Sequence, residues 1–170
     1  MNQRTPIDEF WDLYLQSLPP AQSQNKRYFE AFCFGNKERL ANLCADLVVR
    51  RIKTATSALL WEHEATGKPV VQVGDLSIVT SWNGAPVCII ETLDVRMVPF
   101  DEVDEGFVYD YGEGDRSMEW WRTDMWEYYS EECRSLRRAP TSNMCVVCER
   151  FRVIFPETVS TPRSRTGRSS

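Results

Sequence analysis

Histidine is nearly absent: His63 is the only one in 170 residues. That counts against a ribonuclease built on two histidines, and it leaves a metal ion one imidazole to bind. Long apolar runs are also missing. No stretch approaches the ~20 apolar residues that a membrane-spanning helix needs, and the opening segment Met1–Pro6 has no apolar signal region. The expectation is a cytoplasmic protein with no membrane partner. The six cysteines then read as reduced thiols rather than a disulfide frame. Cys145-x-x-Cys148 is the one close pair, and in a strand, residues three apart point to opposite faces. With a single histidine to help, it is a poor zinc site, and no metal ligands are assigned.

What is present suits one domain with a real core: 42% of residues are apolar and 26% charged. The net charge of −5 hides an asymmetry, because residues 101–132 hold twelve acidic side chains and two basic ones. The remaining chain is mildly basic. A basic face can still attract phosphates, since salt screens an acidic strip lying beyond ~10 Å.

Local signals divide the chain into three: residues 1–24, a helix and linker; residues 25–156, the main domain; and residues 157–170, a disordered tail. Pro6 can open a helix carrying Ile7, Phe10, Trp11 and Tyr14 on one face, and Pro19-Pro20 ends it. This piece reads as an amphipathic flap on the core. Asn36 is a reasonable N-cap for a helix bearing Leu40, Leu43, Cys44, Leu47 and Val48, which runs to about Arg51. Strands are expected at Leu76–Ser81, Val87–Val98 and Met144–Phe155, with Asn83-Gly84 as the hairpin turn between the first two. Asp101–Tyr111 reads as a turn and short helix. Asp115 or Ser117 can cap a longer helix through Glu132, and Trp120, Trp121 and Trp126 read as packing residues rather than base-stacking platforms. The tail is rich in Ser, Thr and Arg; Arg163, Arg165 and Arg168 could touch nucleic acid, although a solubilising role suits the composition better. Helices mixed with mainly antiparallel strands make the fold class α+β.

Two strands carry an interrupted apolar face. The odd positions of one are Val87, Ile89, Glu91, Leu93, Val95 and Met97; those of the other are Cys145, Val147, Glu149, Phe151, Val153 and Phe155. A buried carboxylate needs a cation or hydrogen bonds. Either each glutamate is buried and paired, with Lys53 and nearby arginines as natural partners, or a bulge or a barrel mouth keeps it wet.

Arg50-Arg51-Ile52-Lys53-Thr54-Ala55-Thr56-Ser57 concentrates the chemistry. Three cations arrive at a helix end and three hydroxyls follow. An ammonium beside hydroxyls can hold a phosphate or a polarised carbonyl, and a hydroxyl can attack if a neighbour takes its proton. The competing reading is ordinary: cations complement a helix C-terminus, and Thr suits a strand.

Lys53-Thr54-Ala55-Thr56, followed by Ser57 to Glu62, resembles the signature of the ASCH domain family. Further matches follow in order at Val73-Gly74-Asp75, Cys88–Thr92, Val98–Val103, Gly112–Ser117 and Val147–Phe151. The resemblance covers roughly residues 30–156. It implies a PUA-like small β-barrel with flanking helices. It also implies an RNA-binding cleft beside the Lys-x-x-Thr segment. Some relatives act as ribonucleases, and small ones hydrolyse N4-acetylcytidine with a Lys, a Thr three residues on and a Glu. The match places that Lys at Lys53 and that Thr at Thr56. Glu113 is the nearest match for the glutamate, while Glu91 is the one reached from the strand pattern. Where the family often has Gly, this chain has Arg51.

Three readings follow: an RNA-binding protein with ribonuclease-type hydrolysis, an amidohydrolase of acetylcytidine-like nucleosides, and an RNA-binding module without catalysis. Lys53, Thr56, Glu91 and Glu113 are the catalytic candidates. Arg50, Arg51, Lys53, Thr54, Ser57 and Arg116 are the candidates for phosphate contacts. For RNA cleavage, Glu113 or Asp115 could act as base or hold a divalent metal ion.

Overall fold

The computed structural model describes residues 4–157. Arg163, Arg165 and Arg168 lie outside them. Five strands form one mixed sheet: β1 (Glu30–Phe32), β2 (Ala55–Leu59), β3 (Leu76–Thr80), β4 (Pro86–Pro99) and β5 (Cys145–Phe155). Their order across the sheet is β1-β3-β4-β5-β2, with β1 parallel to β3 and the other pairs antiparallel.

β4 and β5 bend the sheet. Their pairing shifts register between Ile89 and Ile90 and again between Thr92 and Asp94. Each extra residue kinks the strand and increases its twist. The shifts also break the alternation read from β4: Cys88, Ile89 and Ile90 are all buried in succession, while Leu93 and Met97 are exposed. The sheet curls into a half-barrel of the PUA-like kind, and edge strands β1 and β2 line one opening.

Helices cover the sheet in three groups. α1 (Pro6–Ser17) begins with a capping box between Thr5 and Asp8, and lays Trp11 and Tyr14 on Leu76, Ile78 and Ile89. A four-residue turn, α2 (Pro20–Ser23), follows it. α3 (Glu38–Val49) packs Cys44, Ala45 and Val48 against Val79, Cys88, Ile90 and Phe151. Its N-cap is Lys37, not Asn36, and no side chain caps it.

α4 (Leu60–Thr66) follows β2 directly, and α5 (Glu105–Tyr111) is capped by Asp104. Ser117 then caps a helix in three parts: α6 (Met118–Trp120), a π-helical turn at Trp121–Met125, and α7 (Trp126–Ser135). It runs three residues past the expected end at Glu132. Its inner face, with Trp121, Tyr129 and Cys133, packs on Ala55, Leu59, Val146 and Phe100. Trp120 and Trp126 are half-buried against the same cluster, so all three tryptophans serve packing. Each large side chain so buried stabilises the fold by ~1.5–3 kcal/mol.

Candidate functional site

The site begins where α3 ends. The N–H groups of Ile52 and Lys53 both bond to the Leu47 carbonyl, closing the helix. Between them and the helix, Arg51 takes the left-handed backbone conformation, with φ +58°. That is the conformation a glycine would adopt without strain, so Arg51 follows the backbone path that the family's glycine permits. Lys53 is then carried inward while Arg50 and Arg51 stay outside.

A second segment locks onto this one. The Thr54 N–H and hydroxyl both donate to the Asp110 carbonyl, and Phe151 N–H donates to the Thr54 carbonyl. Gly112 permits the approach. A Cβ at Gly112 would lie 2.3 Å from the Ile52 carbonyl oxygen and 2.6 Å from Lys53 Cα. The residue after it, Glu113, thereby arrives beside the lysine.

Lys53 is completely buried. Its ammonium lies 2.7 Å from Glu113 Oε1, donates to the Tyr111 carbonyl at 3.2 Å, and sits 3.4 Å from the centre of the Tyr111 ring. Phe34 lies on a further side, 5.4 Å away. Burying a charge this deeply is affordable only with an opposite charge and hydrogen bonds, and here both are present. Cys44 is next to the pair, and burial pushes its thiol up to about 12, with the Glu113 carboxylate adding to the effect.

Glu113 also faces a small cavity of about 60 Å³ together with Thr56, Ser57, Tyr111 and Tyr128. Phe34, Thr56, Ser57 and Tyr128 line the adjoining cleft as well, a space of about 260 Å³. β1, β2 and β5 contribute Glu30, Thr56 and Glu149 to that cleft, and helices α4 and α7 contribute Glu62, His63 and Glu132. The cleft is therefore acidic. Its one lysine, Lys68, is paired with Glu30.

Two of these carboxyls are unusual. Burial pushes Glu149 up to about 7, against a hydrogen bond from the Thr92 hydroxyl at 2.7 Å that favours the ionised form. Burial also pushes Glu132 up to about 7, helped by the negative charge of Glu62. Glu132 Oε2 is buried with no hydrogen-bond partner. Next to Thr56, Ser57 Oγ is 2.5 Å from the Tyr129 hydroxyl, whose acidity is suppressed chiefly by burial.

The remaining sequence candidates lie elsewhere. Arg50 is exposed and paired with Asp46, and Arg51 donates to the Val49 carbonyl. Arg116 stacks on Tyr109 and donates to the Tyr109 and Ile52 carbonyls, bracing the Lys53 segment from outside. Glu91 pairs with Arg152 across β4 and β5 at 2.6 Å, not with Lys53. Glu149, expected to seek a cation, is instead held by a neutral hydroxyl. Asp115 accepts from the Ser117 N–H at the surface. Among the described residues, no three His, Cys, Asp or Glu side chains gather to hold a metal ion, and no helix is long and apolar enough to cross a membrane. Glu132 and Tyr129 were not singled out by sequence reasoning. A carboxylate on the inner face of the α7 helix was the available signal.

A family model for the ASCH domain matches residues 30–155. The chain belongs to the ASCH domain family. A crystal structure of an ASCH domain from Lactobacillus crispatus JV V101 superposes on this one with a TM-score of 0.84 at 35% sequence identity, over 90% of this chain and 96% of that one. A protein from Enterococcus faecalis V583 shares the fold, with a TM-score of 0.79 at 23% identity over 88% of each chain. A search of the curated proteins finds no match. In this ASCH domain Thr56 and the β5 strand line the cleft, Glu113 lines the small cavity beside it, and all of them lie inside the matched span.

Proposed function

We propose that this ASCH domain hydrolyses an acyl amide on a modified nucleoside, taking the acylated base into the acidic cleft. Thr56 attacks the acyl carbon. The Lys53–Glu113 pair receives the Thr56 proton as a unit, ending as an ammonium beside a neutral carboxyl. The leaving amine is released, and water then cleaves the acyl-threonine ester. The supporting observation is the Lys53–Glu113 pair, its lysine fully buried and its glutamate facing one small cavity together with Thr56. A structural ion pair has no need of a neighbouring hydroxyl and an open cleft.

The character of the cleft supports an uncharged ligand. Glu30, Glu62, Glu132 and Glu149 line it against His63 and the paired Lys68. A phosphate entering there meets the Glu62 carboxylate and, among the described residues, no unpaired lysine or arginine. Its volume of about 260 Å³ lies near the small end of the ~300–1,000 Å³ typical of ligand pockets, a size for one nucleoside rather than a strand. The ribonuclease reading has less support, because Arg50, Arg51 and Arg116 do not line the cleft.

RNA binding belongs to the proposal in a narrower form. ASCH domains are PUA-like domains suggested to bind RNA. The exposed Arg50 and Arg51 can contact two phosphates, for which a single strand gives a log–log salt slope of about −1.4. The test is a paired assay: acetate release from N4-acetylcytidine, and degradation of labelled RNA. The proposal expects the first without the second. Degradation of RNA with no acetate release would replace it with the ribonuclease reading.

A further inference from the structure

Amide hydrolysis needs two proton movements, and the proposed chemistry has assigned only one. A proton must leave the attacking hydroxyl, and another must reach the nitrogen before the C–N bond breaks, because an amide anion is a very poor leaving group. Lys53 cannot serve both ends. It is sealed under Phe34 and Tyr111 and is held by Glu113 and a backbone carbonyl.

The sheet puts another group in place. Thr56 on β2 and Glu149 on β5 are directly opposed in the antiparallel register. Opposed residues project to the same face with Cβ atoms ~4.5–5.5 Å apart. Both line the cleft. Glu149 is 9% exposed and lines the cleft. The Thr92 hydroxyl holds Oε1, which fixes the carboxyl and leaves the other oxygen available.

We infer that Glu149 is the acid that protonates the leaving nitrogen, acting across the strand pair from the nucleophile Thr56. This rests on the proposed acyl hydrolysis. As the Thr56 Oγ–C bond forms, the Thr56 proton passes to the Lys53–Glu113 pair. As the C–N bond breaks, the Glu149 proton passes to nitrogen and the free amine departs. The Glu149 carboxylate then takes a proton from the attacking water. The Thr56–acyl bond breaks, Thr56 recovers its proton from the Lys53–Glu113 pair, and both groups return to their starting state.

The environment of Glu149 suits this cycle. With its carboxyl pushed up to about 7, about half of it is protonated at neutral pH, and it can release that proton. The charged groups that act on it come from three directions: Glu30 on β1, Asp75 ahead of β3, and Lys53 ahead of β2. Glu62, His63 and Glu132 lie further round the same cleft. The negative groups favour the protonated acid, while Lys53 and Thr92 moderate the effect.

The test compares two leaving groups in single turnovers of the full-length protein. N4-acetylcytidine needs a proton on nitrogen, whereas nitrophenolate leaves 4-nitrophenyl acetate without one. Glu149→Gln keeps the side-chain shape and can still accept from Thr92. It should slow cytidine release about 100-fold or more, slow nitrophenolate release about tenfold or less, and remove the alkaline fall in amide rate expected of wild type near neutrality. Equal losses on both substrates, or none on the amide, would overturn the assignment while leaving acyl hydrolysis intact. A wild type inactive on both substrates would overturn the hydrolytic reading and the assignment together. Thr92→Val gives a second reading should the first variant fold poorly. Without the Thr92 hydroxyl, the alkaline limb should move to higher pH, and a limb that does not move would count against Glu149.

Discussion

Glu91 and Glu149 occupy the same kind of position in the sequence, each the one charged residue on the odd face of a long strand. The fold gives them opposite surroundings. Glu91 faces Arg152 across the β4–β5 pairing and stays at the surface, its side chain 28% exposed. Glu149 faces Thr56 across the β2–β5 pairing, inside the curl of the half-barrel, where a hydroxyl rather than a cation holds it. One glutamate has a charged partner and contact with water. The other is held by a neutral hydroxyl with little exposure to water, and burial changes its chemistry. The cross-strand neighbour, not the strand's own pattern, decides which glutamate gains a charged partner.

The contrast breaks most strongly at the buried end. Lys53→Met fills most of the volume but strips Glu113 of its cation. Removing one partner of a buried pair costs about 3–5 kcal/mol, so denaturant unfolding should show a loss of that order. A loss below about 1 kcal/mol would mean that Glu113 reaches water when unpaired, contrary to an enclosed pair.

Next comes a pH effect at Glu149, read as the difference between wild type and a Glu149 variant so that the similar contribution of Glu132 cancels. Its folded pKa, about 7, lies above the usual value of 4.5. The folded state therefore binds the proton more tightly, and the stability this confers is complete below pH ~4.5 and is lost as pH rises through about 7. The loss amounts to about 3 kcal/mol by pH 8. Glu149→Gln lacks this loss. Unfolding curves of variant and wild type, offset to agree at pH 4, should diverge above pH 5, with the variant gaining. Parallel curves across that window would place Glu149 among ordinary carboxylates.

The smallest effect belongs to the surface. Glu91→Gln weakens a bridge to an exposed arginine, and such pairs contribute about 0–1 kcal/mol. Its melting temperature and its hydrolytic rate should both stay near wild type. A large drop in either would erase the contrast between the two glutamates.

Much of this was legible in the chain. The α1 helix, the α3 helix, the Asn83-Gly84 hairpin and the long strands follow from local periodicity and turn chemistry, which act over a few residues. Family resemblance pointed to Lys53, Thr56 and Glu113. The three-residue strand β1 was too short to leave a period, and its parallel pairing to β3 is fixed by tertiary contact. The register shifts in β4 undid the simple alternation, so Leu93 and Met97 face solvent. The cleft itself assembles residues from Glu30 to Glu149, and no local signal spans that distance. Arg51 illustrates the remaining gap: its side chain suggests a phosphate contact, yet its backbone conformation serves to turn the chain toward Lys53.

The central claim is that Thr56 becomes covalently acylated in the cleft. The direct measurement is mass spectrometry of the protein quenched in acid during turnover of N4-acetylcytidine, followed by peptide mapping. The account predicts one acetyl group on Thr56 in wild type, and no acetyl group and no acetate release in Thr56→Ala, with nucleoside affinity near wild type in both. Acetate released by Thr56→Ala at the wild-type rate, or an acetyl group found on another residue, would contradict it.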